Sequence, residues 1–263
     1  DMTLLIVIGV LLFLGLVFLS SASSSLAFFN HGDTYYFVKQ QLFAIFVGVV
    51  AFYILLRINY KFYQKLTPLL LIVSIIVLLL PLFGPLQGEF GTAQSWIVIG
   101  GHSFQTSEVA KLFFILYLAG WLGKKGTDIK NFKTGTLPFI IILGIISWLI
   151  LMQPDIGTLS IVVLTALALF FVAGAKISHL AAIIVAGLAG FLGLIKMAAY
   201  RIDRLTAWLD PNVDTQGIGW QVKQSLIAIG SGGWFGMGLG GSRQNSYLPH
   251  PANDSIFAVI AEE

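Results

Sequence analysis

Long apolar runs separated by short polar stretches dominate the chain. Seven of them, 3–20, 37–56, 66–86, 109–122, 137–152, 159–174 and 178–198, predict helices apolar on every face. A helix that crosses a bilayer needs about 20 mostly apolar residues, and each run reaches or approaches that length. The fourth and fifth are short and are expected to extend into their flanks. An eighth run opens at Ser255 and stops at Glu263, the last residue. A helix entering a membrane should not halt after two turns, so the sequence reads as C-terminally truncated. The first run has neither a basic leader nor a cleavage site and is expected to be a retained helix. The predicted fold is an all-α integral membrane protein. It is a polytopic helical bundle with seven spanning helices and the start of an eighth, in one domain over 1–263, with a long outer loop over 201–254.

Composition strengthens this reading. Hydrophobic residues make up 57% of the 263 and charged residues 10%, where a soluble domain carries about a quarter charged. One soluble core could not hide that much apolar surface. Cysteine is absent, which removes disulfides, thiolate metal sites and a cysteine nucleophile. A net charge of +3 is too small to imply nucleic acid as a partner.

The placement of the charges orients the chain. Arg57, Lys61 and Lys65 follow the second run; Lys124, Lys125, Lys130 and Lys133, against Asp128 alone, follow the fourth; Lys176 follows the sixth. By the positive-inside rule these loops are cytoplasmic, and so is the amino terminus. Asp33, Glu89, Glu108, Asp155, Asp203, Asp210, Asp214 and Asp254 fall on the opposite side.

Three outward segments depart from lipid-like composition. In the first, Glu108 and Lys111 are three apart and share a helix face. They form either a local ion pair, with Thr106 or Ser107 as a cap, or the charged rim of a cavity. In the second, Gln153-Pro154-Asp155-Ile156-Gly157-Thr158, Asp155 either caps the next helix or lines a wet site. The third is the outer loop, with Arg201, Arg204, Gln221 and a glycine-rich stretch from Gly230 to Gly241. No Gly-Lys-Ser/Thr follows those glycines, so they do not make a P-loop. Trp, Phe, Leu and Ile within the loop predict an ordered element folded over the outer surface, partly in the interface. Asp254, just before the eighth run, is placed to be its N-cap. No His-Glu-x-x-His array supports a zinc hydrolase.

These segments, Tyr200 to Pro211, Gln221 to Gly241, Leu248-Pro249, Asp254 to Glu263, Gln105 to Lys111 and Pro154 to Thr158, carry a resemblance over essentially the whole chain. It resembles the SEDS (shape, elongation, division and sporulation) family of polytopic peptidoglycan glycosyltransferases, whose fold has ten spanning helices. Ser20-Ser21-Ala22-Ser23-Ser24 and Tyr200 to Arg204 look more like the division type (FtsW-like) than the elongation type (RodA-like). The chain departs from the family pattern at four positions: Ser255 replaces a usual Phe, Thr106 a common Pro, Ser95 a common Arg and Asn253 a frequent Thr.

The resemblance implies polymerisation of lipid II at the outer face of the cytoplasmic membrane, with undecaprenyl pyrophosphate leaving. It makes Asp254 the candidate catalytic base. Arg201, Arg204 and Lys111 become candidate phosphate contacts, Glu108 and Asp155 shape the outer cavity, and Gln221 joins the substrate-binding set. A divalent cation, Mg or Mn, is implied as cofactor, without a ligand set readable from spacing. The implied partners are a class B penicillin-binding protein (a monofunctional transpeptidase) and other divisome or elongasome membrane proteins. Two rival classes are a flippase for the lipid-linked precursor and a non-catalytic division scaffold. A transporter predicts midplane charges and broken helices in repeated halves, and neither pattern is present. A scaffold gives no reason for Glu108, Asp155 and Asp254 to lie on one side.

Overall fold

The computed structural model describes residues 2–83, 87–90, 93–99, 102–196, 202, 206, 209–210, 219–249 and 251–263. The chain divides into two compact units, one of Asp1–Leu56 with Leu192–Glu263 and one of Arg57–Phe191.

In the first unit, α1 (Met2–His31) and α2 (Tyr36–Arg57) are single uninterrupted helices. At 1.5 Å per residue α1 is about 45 Å long, more than a bilayer's hydrocarbon thickness. Its apolar side chains are exposed over the first half, and only Ala22, Ser23 and Ala27 are buried; α2 buries none. Such surfaces suit lipid, where a helix satisfies its own backbone and needs no polar face. Between them, Lys39 Nζ lies 2.7 Å from Asp33 Oδ2. That bond and the Tyr35 N–H hold the Asp33 carboxyl below its ordinary range. The same unit contains α9 (Gly219–Gly232), a 3₁₀ turn at Gln244–Ser246 and α10 (Ile256–Glu262). Helices α9 and α10 run side by side in the same direction. Gln221 meets Ser255 near their starts, and near their ends a Cβ at Gly232 would collide with the Ala261 carbonyl.

The second unit holds α3 (Tyr60–Lys65), α4 (Thr67–Phe83), α5 (Thr106–Gly123), α6 (Leu137–Leu151) and α7 (Ile156–Val172), with most of α8 (Ile177–Lys196). A 3₁₀ turn (Gly126–Lys130) and a π turn (Phe132–Thr136) join α5 to α6. Its core gathers Leu78, Phe114, Leu118, Phe139, Ile146, Ile150, Val162 and Phe170. The Phe139 and Phe170 rings stack 4.1 Å apart. Polar staples cross this core. Ser74 Oγ donates to the Ala110 carbonyl at 3.1 Å. Gln153, fully buried, donates its amide to the Leu78 carbonyl at 2.7 Å, one residue from the Val77 carbonyl whose helical donor Pro81 removes.

Three features correct the sequence expectation. The fold is not purely helical, because β1 (Gln87–Phe90), β2 (Ala93–Ile99) and β3 (His102–Gln105) form a three-stranded antiparallel sheet in the segment read as polar loop. The outer loop is not loop throughout, because α9 lies within it. The N-cap of α10 is Ser255, not Asp254. Among the described residues three helices are long and apolar enough to cross a membrane, Met2–His31, Tyr36–Arg57 and Phe132–Leu151, with shorter apolar helices at Thr67–Leu82, Ile156–Val172 and Ile177–Gly193. The chain is a helical membrane protein with several apolar helices.

Candidate functional site

The sequence-selected residues fall in both units. In the second, Asp155 is the N-cap of α7, its Oδ1 accepting from Thr158 N at 3.0 Å. Its Oδ2 accepts from Thr158 Oγ1 at 2.8 Å, Gln105 Nε2 at 3.2 Å and Ser107 Oγ at 3.2 Å. The carboxylate therefore caps one helix and also clamps the start of α5, some fifty residues earlier. Thr106 pins the same helix start to the sheet, its hydroxyl donating to the Ser95 carbonyl at 3.0 Å. Neither Thr106 nor Ser107 caps α5; Gln105 holds that position without a side-chain bond.

Lys111 and Glu108 form the expected i,i+3 ion pair, Nζ to Oε1 at 2.6 Å. The ammonium side is largely covered, at 19% exposure, while the carboxylate is 53% exposed. A half-exposed pair of this kind adds about 0–1 kcal/mol to stability.

In the first unit, Ser255 and not Asp254 occupies the N-cap position of α10, without a side-chain capping bond. The Ser255 side chain is buried at 2% exposure. Its hydroxyl donates to the Pro249 carbonyl at 2.9 Å and accepts from Gln221 Nε2 at 3.4 Å. Asp254, one residue earlier, is exposed, and among the described residues its carboxylate has no hydrogen-bond partner or ion pair. Gln221 thus stands beside the candidate base, on the residue that anchors it. Arg201 and Arg204 lie outside the described residues.

Sequence reasoning passed over Glu262. It is completely buried at the end of α10. Its Oε1 accepts from Ser231 Oγ at 3.2 Å and Arg243 N at 3.1 Å, and its Oε2 from Ser242 Oγ at 2.5 Å. A buried carboxylate requires such donors. The available signal was an acidic residue inside an otherwise apolar run, the kind of group that is rarely left unpaired. Among the described residues no group of three or more histidines and acids stands together to hold a metal ion.

Helices apolar on every face, together with an exposed carboxylate at the start of α10, define a class of membrane protein. The particular family follows from comparison with known proteins. A family model described as "Cell cycle protein" (FTSW_RODA_SPOVE) matches residues 2–263. Stage V sporulation protein E of Bacillus subtilis is 39% identical over 264 residues, covering all of this chain and 72% of that protein. A protein named "Probable peptidoglycan glycosyltransferase FtsW" in Thioalkalivibrio sulfidiphilus is 40% identical over 264 residues, covering all of this chain and 66% of that protein. Among solved structures, a peptidoglycan synthase complex described as coordinating polymerization and crosslinking aligns with a TM-score of 0.66 at 30% identity, over 95% of this chain and 70% of that one. Rod shape determining protein RodA of Thermus thermophilus aligns with a TM-score of 0.61 at 27% identity, over 74% of this chain and 59% of that one. The chain belongs to the SEDS family and is FtsW-like.

Proposed function

We propose that this protein polymerises lipid II into glycan strands in cell division, with Asp254 as the general base. The supporting observation is that Asp254 is exposed while its neighbour Ser255 takes the N-cap position. Among the described residues this carboxylate neither caps a helix nor pairs with a cation, which leaves it free to accept a proton. The hydroxyl of one lipid-linked sugar attacks the anomeric carbon of another. Its proton passes to Asp254, a C–O bond forms, and the bond to the pyrophosphate oxygen breaks. Base catalysis of this kind contributes about 10²–10⁴-fold.

The departing pyrophosphate gains negative charge, and Lys111, Arg201 and Arg204 are the cations assigned to it, the arginines by bidentate contact. Glu108 orients Lys111 through their ion pair, and Asp155 fixes the helix that carries both. Gln221 positions the segment of Asp254 through Ser255. The reaction lies on the extracytoplasmic side in the orientation set by the basic loops, and a class B penicillin-binding protein with other division or elongation membrane proteins is the expected company.

The test is Asp254→Asn in the full-length protein, assayed by glycan chain length on a gel from purified lipid II. Since Ser255 is the N-cap, the α10 start survives the change, and polymer should disappear while the thermal midpoint holds. Polymer made at the normal rate by the folded variant ends the assignment of Asp254 as the base, while absence of polymer from the parent protein favours a flippase or a scaffold.

A further inference from the structure

We propose that segment 224–242 is a membrane-docking element, seated at the lipid–water boundary with Trp234 and Phe235 as its anchors. No Asp, Glu, Lys or Arg occurs between Lys223 and Arg243. Within this segment α9 has the reverse of a water-facing pattern. Its buried stripe is Gln224, Ala228 and Gly232, while Leu226, Ile227 and Ile229 are exposed. A helix that turns its small and polar residues inward and its large aliphatic ones outward has lipid as its suitable solvent.

The turn after α9 carries this further. Trp234 and Phe235 are 98% and 99% exposed. They stand between Gly233 at φ 58° and Gly236 at φ 70°, conformations that glycine adopts without steric cost. The backbone therefore holds two aromatic rings wholly clear of the protein. Leu239 continues the patch, at 67% exposure.

The height of the element comes from α1. The Gly240 N–H donates to Ser21 Oγ at 3.1 Å and to Glu263 Oε1 at 3.0 Å. Ser21 is the second residue of the serine-rich stretch at the end of the apolar run 3–20, so the loop meets α1 where hydrocarbon gives way to headgroups. Indole and phenyl rings favour that depth. The cations at the two ends suit the lipid phosphates: Lys223 and the exposed Arg243, which forms no ion pair among the described residues. Lipid, rather than a protein partner, fits an apolar patch at this height with basic flanks.

The chain's lack of cysteine makes the experiment direct. Single cysteines at positions 234, 235 and, as a water-exposed reference, Asn253 are placed in the full-length protein. Each is labelled with an environment-sensitive fluorophore in nanodiscs of phosphatidylethanolamine and phosphatidylglycerol. At 234 and 235, a nitroxide carried high on the lipid acyl chain should quench strongly, and aqueous iodide severalfold less than at 253. Iodide quenching equal to that at 253 would place the turn in water and overturn the proposal. Protection from both quenchers would overturn it too, by showing that protein covers the patch. Trp234→Ser with Phe235→Ser is the second arm, reported by a fluorophore at position 239: lipid quenching there should fall severalfold, and quenching unchanged by loss of both rings sinks the anchor assignment.

Discussion

The backbone N–H of Gln244 lies 3.2 Å from both carboxylate oxygens of Glu262. A loop residue thus shares its donor across a fully buried acid eighteen residues further along the chain. With Ser231, Ser242 and Arg243 also donating, Glu262 fastens α9 and the glycine-rich return loop to α10.

Glu262→Ala should strip Ser242, Arg243 and Gln244 of their acceptor, while Ser231 keeps the Ala228 carbonyl. A buried group left unpaired costs about 1–3 kcal/mol, so the variant should show a clear fall in thermal midpoint in detergent. Glu262→Gln keeps one acceptor oxygen and should fall less. Equal midpoints for both variants and the parent would contradict the fastening role.

Asp155→Ala should lower stability by about 0.5–2 kcal/mol for the lost cap alone, and further for Gln105 and Ser107. Asn caps nearly as well, but one of its two terminal atoms donates rather than accepts. Asp155→Asn should therefore lie between alanine and the parent in a thermal melt. Loss of polymerisation by Asp155→Ala at an unchanged midpoint would instead mark Asp155 as a substrate contact.

Lys111→Ala should remove most polymerising activity while leaving the fold nearly intact, because a half-exposed ion pair adds little stability. Glu108→Gln should cost less activity than Lys111→Ala, and less than Asp254→Asn, since it only orients the cation. Steady-state rates on lipid II, with the melting midpoint as control, check the order. Activity lost more by Glu108→Gln than by Lys111→Ala reverses the assigned roles.

Cysteines at Lys124 and Lys130 should be shielded from an impermeant thiol reagent on intact cells, and one at Tyr247 should be labelled. The reverse pattern would invert the topology drawn from the basic loops.

The helices that meet lipid were legible because lipid asks for apolarity on every face, and the first eighteen residues of α1 and most of α2 obey. Asp155 as a cap was legible from local sequence. Its clamp on Gln105 and Ser107 was not, because the partners are some fifty residues away. Helix α9 was hidden by its reversed faces: with Gln224, Ala228 and Gly232 inward, the apolar positions no longer mark the core. The sheet over 87–105 escaped because glycine and polar residues blur its two-residue alternation. Asp254 and Ser255 are both good caps by type. Neither side chain makes the capping bond: the Ser255 hydroxyl is spent on the Pro249 carbonyl, a partner that local sequence does not reveal.

At Gly232 the absence of a side chain is itself structural, since a Cβ there would collide with the Ala261 carbonyl. Even alanine at this position acts as a wedge between α9 and α10. It pulls Ser231 away from Glu262, and a buried acid then loses one of its donors.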